Sequence, residues 1–226
     1  SNREDFLRKF IDVRLFGAVS APKADKTAKN KKKTTENSNE NEEDEPIDVN
    51  KTFHFTGPVQ FSMGRSLNKV KENFIKGTGA FTTDDKNIQK TFREEYNITY
   101  GLIAFHGVIN EQAAKYVKTT SEDIDLLMEG IWDGTKSLLT RSKKGHMPRL
   151  LVKIDYKGSF FIGDLAERLT LVPKEGMQEN AFEDIEDFII DTTKLVAALQ
   201  KYADKIERIT VTQDDRIVLS ESIPVK

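Results

Sequence analysis

Two strand-like segments flank a long basic segment in the first half of the chain, and this arrangement limits the fold more than any other feature. The first strand is predicted over residues 52–61, where aromatic and apolar residues recur and Gly57-Pro58 indicates a bend. The second is predicted over residues 96–105, where alternate apolar residues share one face. The chain is therefore predicted to leave a strand, make an excursion over residues 64–95, and return to a second strand.

The excursion combines cations, aromatic residues and three glycines. Its cations are Arg65, Lys69, Lys71, Lys76, Lys86, Lys90 and Arg93, and its aromatic residues include Phe74, Phe81 and Phe92. This combination suits single-stranded nucleic acid, because cations follow phosphates while aromatic or aliphatic groups stack on bases or wedge between them. Composition alone favours an ordinary solvated loop, since lysine is mostly exposed in any protein.

Length and composition exclude several classes of protein. The 226 residues suffice for one domain, or for one domain with an insertion. The absence of cysteine excludes a disulfide framework and a cysteine-based zinc site, and it fits a reducing cytoplasm. No stretch approaches the roughly 20 apolar residues of a membrane span, and the N-terminus has no signal-peptide core. We predict a cytoplasmic protein without a membrane partner; because residue 1 is serine, we expect a processed, tagged or truncated product.

Charge is unevenly distributed although the net charge is only −2. Residues 136–157 carry seven lysines and arginines against one acid, Asp155, whereas acids concentrate in residues 175–187. Residues 20–51 are low in complexity, with lysines first and acids after them, and almost nothing there can be buried. We predict a disordered surface insertion. RNA binding by its lysines is the less favoured alternative, because the neighbouring acids lower the local net charge.

The rest of the chain mixes helical and strand patterns. A helix over residues 119–140 has the strongest signal, because Thr120 and Asp123 have capping-box spacing and apolar residues follow at helical intervals. Other predictions are a helix end at residues 3–10, strands at 12–19, 149–156 and 185–190, a turn and helix at 107–116, a helix at 192–206 and a hairpin at 208–219 around Asp214-Asp215. This order predicts an α+β fold with helices on one face of an antiparallel sheet.

The usual catalytic and metal patterns are missing from the sequence. The three histidines are scattered, there is no G-x-S-x-G elbow, and Gly77-Thr78-Gly79 lacks the Lys-Ser/Thr of a phosphate loop. An aspartate pair, Asp84-Asp85, could activate a ribose hydroxyl or hold a metal, although such a pair in a turn usually serves the turn. We predict no catalytic residue, metal or cofactor. The alternatives are a metal-dependent ribonuclease using Asp84 and Asp85, or a protein-interaction module of a ribonucleoprotein.

Five motifs resemble the backbone subunit of the type I-B CRISPR surveillance complex, Cascade. They are DVRLFG at 12–17, TGPVQFSMGRSL at 56–67, KGTGAF at 76–81, KTFREEY at 90–96 and SEDIDLLMEGIWDGTKSLLTRSKKGHMPRLLVKIDY at 121–156. The resemblance implies a single RRM-like (ferredoxin-like) palm over residues 1–226, with the excursion at 64–95 forming a thumb-like hairpin. It also implies that the family's first strand, the following loop and most of its first helix would precede Ser1, so that the palm would lack a strand.

The resemblance further implies a subunit of an antiviral ribonucleoprotein that has no catalytic role. Copies would form a helical filament along the guide RNA, and each thumb would displace one base while the other bases pair with target DNA. The implied partners are guide RNA, target DNA through the guide, other copies of the chain and other Cascade subunits. Phosphate contacts carry no sequence information, which suits a protein that accepts any guide. The candidate RNA-binding residues, with Arg65 and Lys69 favoured, are Arg14, Arg65, Lys69, Lys71, Lys76, Lys90, Arg93, Arg141, Lys143 and Lys144.

Overall fold

The computed structural model describes residues 2–20, 53–78 and 92–226. Its helices are α1 (Asn2–Lys9), α2 (Ile11–Phe16), α3 (Glu111–Val117), α4 (Ser121–Lys136) and α5 (Thr193–Lys201), with 3-10 turns at Ala166–Arg168, Glu179–Ala181 and Ile185–Asp187. Its strands are β1 (Gly17–Ser20), β2 (Phe53–Thr56), β3 (Val59–Phe61), β4 (Arg65–Ser66), β5 (Glu72–Thr78), β6 (Phe92–Ile98), β7 (Ile103–Ala104), β8 (Gly107–Ile109), β9 (Leu150–Tyr156), β10 (Thr170–Pro173), β11 (Phe188–Asp191) and β12 (Ile206–Gln213). The insertion predicted at residues 20–51, except for Ser20, lies outside the described residues.

The strands of the described residues form two-stranded antiparallel pairs. The pairs are β1–β2, β3–β8, β4–β7, β5–β6, β9–β12 and β10–β11. Helices together with antiparallel strands agree with the predicted α+β class. The RRM-like palm and the division into one domain with insertions at 20–51 and 64–95 stay predictions. No helix in the described part of the chain is long and apolar enough to cross a membrane.

The described residues divide into two compact units, and the first contains those within 1–61 and 107–131. The strand predicted at residues 12–19 is wrong over its first part, where helix α2 forms instead. Ile11 and Leu15 lie one helical turn apart, and Leu15 is buried with Val59 and Leu127 in this unit's core. The extended chain begins only at Gly17, where φ is +86° and an added Cβ would lie 2.3 Å from the Phe55 carbonyl oxygen.

Helix α4 begins with the predicted capping box, but it ends at Lys136 rather than at residue 140 as predicted. The Thr120 amide donates to Asp123 Oδ2 at 3.0 Å, and the Asp123 amide donates to Thr120 Oγ1 at 3.2 Å. These bonds satisfy backbone donors that the first helical turn leaves without partners.

The second unit contains the described residues within 62–106 and 132–226. Leu195 and Leu199 of α5 pack with Ile206 and Ile209 of β12 in one core cluster. A second cluster is built from residues of β10, β11 and the neighbouring turns, namely Leu171, Phe182, Ile185, Phe188, Ile190 and Ile217. These clusters support the long ladder between β9 and β12.

Several predicted boundaries in the second unit are wrong. The hairpin at residues 208–219 does not form, because β12 pairs with β9 and Leu219 instead makes a parallel bridge to Ile190. The strand predicted at 185–190 begins only at Phe188, after a 3-10 turn capped by Asp184. The strand predicted at 96–105 is not continuous. Its first residues belong to β6, which begins earlier at Phe92, and β7 forms separately at Ile103–Ala104. The helix predicted at 192–206 ends at Lys201.

Candidate nucleic-acid interface

The hairpin β5–β6 forms the centre of the candidate site. Its ladder places Phe74 opposite Tyr96 and Lys76 opposite Glu94. Residues directly opposite each other in an antiparallel ladder project from the same face, and alternate residues along each strand share that face. Phe74, Lys76, Glu94 and Tyr96 therefore lie on one face of the hairpin, which we call the aromatic face.

The aromatic face is open to solvent. The rings of Phe74 and Tyr96 lie 4.8 Å apart at an interplanar angle of 36°. Tyr96 is 75% exposed and Phe74 is 46% exposed. The Lys76 ammonium lies 5.5 Å from the centre of the Phe74 ring and 3.4 Å from a Glu94 oxygen. An exposed ring pair with an adjacent cation can stack on a base and contact the phosphate beside it.

The opposite face of the hairpin is connected to residues 141–148, which follow helix α4 and which we call the basic loop. Arg141 Nη2 donates to Glu95 Oε1 at 2.8 Å, and Arg93 donates to the other oxygen of the same carboxylate. The hydrogen bonds from Arg93, and then from Arg141, lower the pKa of Glu95 below its ordinary value. Glu95 therefore stays ionised at neutral pH and links two of the predicted RNA-binding arginines.

Three further predicted cations lie where the chain approaches the hairpin. Lys69 and Lys71 are exposed, and no carboxylate of the described residues forms an ion pair with either. Arg65 lies 3.8 Å from Glu167, with both side chains largely exposed. Such a surface pair contributes little, so Arg65 is also available to a phosphate.

The basic loop itself presents two more lysines. The carbonyl of Thr140 accepts from the amides of Lys143 and Lys144, which forms a tight turn. Both lysines are exposed, and neither forms an ion pair with a described residue. The loop, which is bonded to Glu95 through Arg141, adds positive charge on the side of the hairpin opposite the aromatic face.

Arg14 is in a different environment from the other predicted cations. Its guanidinium donates to Asp123 at 3.0 and 2.6 Å and to the carbonyl oxygens of Leu7 and Arg8 at 2.7 and 3.1 Å. The side chain is only 19% exposed. Because most of its donors are used inside the first unit, we assign Arg14 a structural role and leave it out of the proposed RNA site.

Other predicted residues fall outside the described part of the chain. They are Lys90, the aromatic Phe81 and the acids Asp84 and Asp85. Among the residues that the structure does describe, no group of three histidine, aspartate or glutamate side chains could hold a metal ion.

The sequence pattern does not identify two residues of this site, Tyr96 and Glu95. The sequence predicts that Tyr96 begins a strand that continues to residue 105, and this prediction does not pair Tyr96 with Phe74 across a hairpin. The alternation of Phe92, Glu94 and Tyr96 was the available signal, but it fixes a face only once the strand partner is known. The role of Glu95 depends on Arg141, which is distant in sequence.

The antiparallel strand pairs and the open, cationic and aromatic hairpin define a class of α+β protein with a candidate nucleic-acid face. Residues 1–193 match the model of the family described as CRISPR-associated protein Cas7, and the chain belongs to that family. It is also similar to a CRISPR-associated protein Cas7 of Haloferax volcanii, with 30% identity over 225 residues and 96% of this chain covered. The chain spans 61% of that relative's length. The predicted CRISPR family is thus confirmed, while the type I-B subtype stays a prediction.

Proposed function

We propose that this chain binds CRISPR guide RNA without sequence preference, as the repeated backbone subunit of a type I-B Cascade complex in antiviral defence. The observation that carries the proposal is the exposed Phe74–Tyr96 pair with Lys76 beside it, on a hairpin of a Cas7-family chain. In this role the chain binds RNA and does not cut it, and its partners are further copies, other Cascade subunits and, through the guide, target DNA.

Sequence independence follows from the kinds of group on the hairpin. Every base has a π-face, so the rings of Phe74 and Tyr96 can stack on any of the four. The cations at Lys69, Lys71 and Lys76 meet phosphates, which are the same along the whole strand. Such a site leaves the hydrogen-bonding edges of the other bases free to pair with a second strand.

Local charge has to provide the electrostatic attraction, because the whole chain has a net charge of −2. The hairpin and the residues that lead into it collect Arg65, Lys69, Lys71 and Lys76 within 12 positions of one another. Salt screens the attraction between these exposed cations and the phosphates, so the affinity for RNA should fall as ionic strength rises.

The direct test is fluorescence anisotropy of the purified full chain with labelled single-stranded RNAs of equal length and unrelated sequence. We expect similar Kd values for every sequence and a clear loss of affinity between about 50 and 200 mM salt. Failure to bind any of the RNAs at the lower salt concentration would refute the proposal.

A matched pair of variants tests the aromatic face. Tyr96→Ala should weaken RNA binding by about 5- to 100-fold, which corresponds to loss of one stacked base. It should leave stability nearly unchanged, because Tyr96 is 75% exposed. Phe161→Ala removes another aromatic ring of the same unit, 64% exposed and outside the hairpin, and should bind like the unmodified chain. Equal affinity of both variants would exclude the aromatic face from the site.

The ribonuclease hypothesis is tested with the same RNAs. We expect them to remain intact during incubation with the chain and Mg²⁺ or Mn²⁺. Cleavage that disappears in Asp84→Ala or Asp85→Ala would instead establish the catalytic alternative.

A further inference from the structure

The hairpin is joined to the rest of its unit by residues 67–71 on the outgoing chain and 99–102 on the returning chain, which we call the joint. At one end of the joint the Leu67 amide donates to the Leu102 carbonyl at 2.8 Å. At the other end the Thr99 amide donates to the Lys71 carbonyl at 3.1 Å. Between these two bonds neither β4–β7 nor β5–β6 continues, so the backbone ladder is interrupted.

The side chain of Asn68 fills this interruption. Its Oδ1 accepts from the Leu102 amide at 2.9 Å and lies 3.1 Å from Ser66 Oγ. Its Nδ2 donates to the carbonyl oxygens of Lys69 at 3.0 Å and Tyr100 at 3.4 Å. The carboxamide therefore takes the place of a peptide group and connects the outgoing chain to the returning one.

Asn68 is one of few buried polar residues among those described, with 7% of its surface exposed. A buried amide costs free energy unless its donors and acceptor are used, and here both the amide protons and the oxygen have partners. A satisfied polar group of this kind favours one arrangement of its surroundings over others, because a shifted joint would leave it without partners.

The joint also determines where two free cations lie. Lys69 follows Asn68 directly, and its carbonyl is held by the Asn68 amide group. Lys71 is the last residue of the outgoing half, and its carbonyl accepts from Thr99. Both lysines are exposed, whereas the backbone that carries them is fixed. The direction of the hairpin and the position of these lysines thus depend on the same hydrogen bonds.

We propose that Asn68 is a positioning residue for RNA binding. It holds the joint so that Lys69, Lys71 and the aromatic face of the hairpin meet one RNA strand together. This inference rests on the proposed function, but it concerns a buried side chain that does not itself touch RNA.

The test uses Asn68→Asp in the full chain. Aspartate has nearly the same shape and keeps the acceptor for the Leu102 amide, but it loses both donors and places a carboxylate against the Lys69 and Tyr100 carbonyls. Asn97→Asp is the control, because it makes the same chemical change at an exposed position of β6 in the same hairpin. A difference in RNA binding between the two variants then reflects the lost hydrogen bonds of the joint rather than the added negative charge.

Salt dependence gives a readout that a purely structural role would not change. If Lys69 and Lys71 lose their phosphate contacts, the slope of log K against log salt should become flatter by about 1.4, or about 0.7 for each contact on single-stranded RNA. The double substitution Lys69→Ala/Lys71→Ala should weaken binding in the unmodified chain and cause little further loss in Asn68→Asp. Asn97→Asp should keep the full effect of the double substitution, because the hydrogen bonds that hold Lys69 and Lys71 stay in place.

Hydrogen exchange separates positioning from loss of the fold. In Asn68→Asp we expect faster exchange of the Leu67 and Thr99 amides and unchanged protection in the β9–β12 ladder. If Asn68→Asp does not fold, Asn68→Ser and Asn68→Gln are measured in the same way. Loss of β9–β12 protection in all three variants would show that Asn68 is required for folding of the unit, and it would overturn the proposal.

The outcomes also distinguish this inference from the proposed function. An unmodified chain that binds no RNA refutes the proposed function, and the positioning role with it, whatever the exchange data show. RNA binding that is equally strong and equally salt-dependent in the unmodified chain and Asn68→Asp refutes only the role of Asn68. An equal loss from Lys69→Ala/Lys71→Ala in both backgrounds refutes it as well.

Discussion

Arg14 shows that the type of a residue does not identify its partner. Its position inside the DVRLFG motif and inside the strand predicted at residues 12–19 makes it a candidate for RNA binding. In the structure it forms an ion pair with Asp123, whose side chain is only 5% exposed. Asp123 also accepts from the Thr120 amide at 3.0 Å, so one carboxylate serves both the helix N-terminus and the ion pair.

Substitution of Arg14 should change stability rather than RNA affinity. Arg14→Met leaves the Asp123 carboxylate buried without its cation, and removal of one partner from such a pair costs about 3 kcal/mol. We expect a lower midpoint in urea unfolding, while folded protein binds RNA with unchanged Kd. Lower RNA affinity of fully folded Arg14→Met would show instead that Arg14 belongs to the RNA site.

The same pair predicts how stability depends on pH. The hydrogen bond from Arg14 lowers the pKa of Asp123, with help from the Thr120 amide. The folded-state pKa of Asp123 lies below the unfolded value of about 3.9. The ionised carboxylate therefore makes its full contribution to the free energy of unfolding above that pH. It is lost as pH falls through the lowered folded pKa. The unfolding free energy of Asp123→Asn should therefore decrease less than that of the unmodified chain on acidification below about pH 4.

At the level of elements, the N-terminus of α4 provides a local test. Thr120→Ala removes the hydroxyl that accepts from the Asp123 amide and should cost about 1 kcal/mol in unfolding free energy. Ser121→Ala is the matched control, since it replaces an exposed hydroxyl one residue further on with a better helix former. Equal stability of the two variants would show that the hydrogen bond to the Thr120 hydroxyl contributes nothing.

The link between β6 and the basic loop gives a second test at this level. Glu95→Gln removes the charge that Arg93 and Arg141 share and should make one more cation available to phosphate. We expect tighter RNA binding, with a salt slope steeper by about 0.7. Glu207→Gln makes the same change at an exposed position of β12 and should leave the slope unchanged. Weaker binding by Glu95→Gln would instead show that the link orients the arginines.

Elements whose signals lie within a few residues were predicted well from the sequence. The capping box and apolar spacing gave α4, and the alternation of Leu150, Val152 and Ile154 gave β9. The strand predicted at residues 12–19 failed because its apolar spacing also fits one helical turn, and burial of Leu15 favours the helix. The hairpin predicted at 208–219 failed because β12 pairs with a strand more than 50 positions earlier, as in Arg208 opposite Asp155.

In the candidate site, too, the features signalled by nearby residues are predicted from the sequence and those that depend on distant residues are not. The cations and Phe74 were identified in the sequence because composition is local information. The Glu95 link and the buried Asn68 were not, since each depends on residues more than 30 positions away. A polar residue in a basic segment gives no sign in the sequence that it will be buried.

On the scale of the whole molecule, the proposed function requires many copies on one RNA. A chain with a net charge of −2 gains little from general attraction to a polyanion, so each copy must bind through its own hairpin and the residues beside it. The number of bound copies should then depend on how many hairpins the strand can accommodate. Double-stranded RNA should bind more weakly, because its bases are already stacked on each other and are not free to meet Phe74 and Tyr96.

A series of single-stranded RNAs of increasing length tests this expectation. We expect native mass spectrometry to show integer steps in bound copies as length increases, since each copy covers a fixed segment. Tyr96→Ala should bind fewer copies at the same protein concentration, whereas Phe161→Ala should match the unmodified chain. One bound copy at every length would contradict the role as a repeated backbone subunit while leaving simple RNA binding intact. Duplexes of the same lengths serve as the control for charge alone, because they present phosphates without accessible base faces.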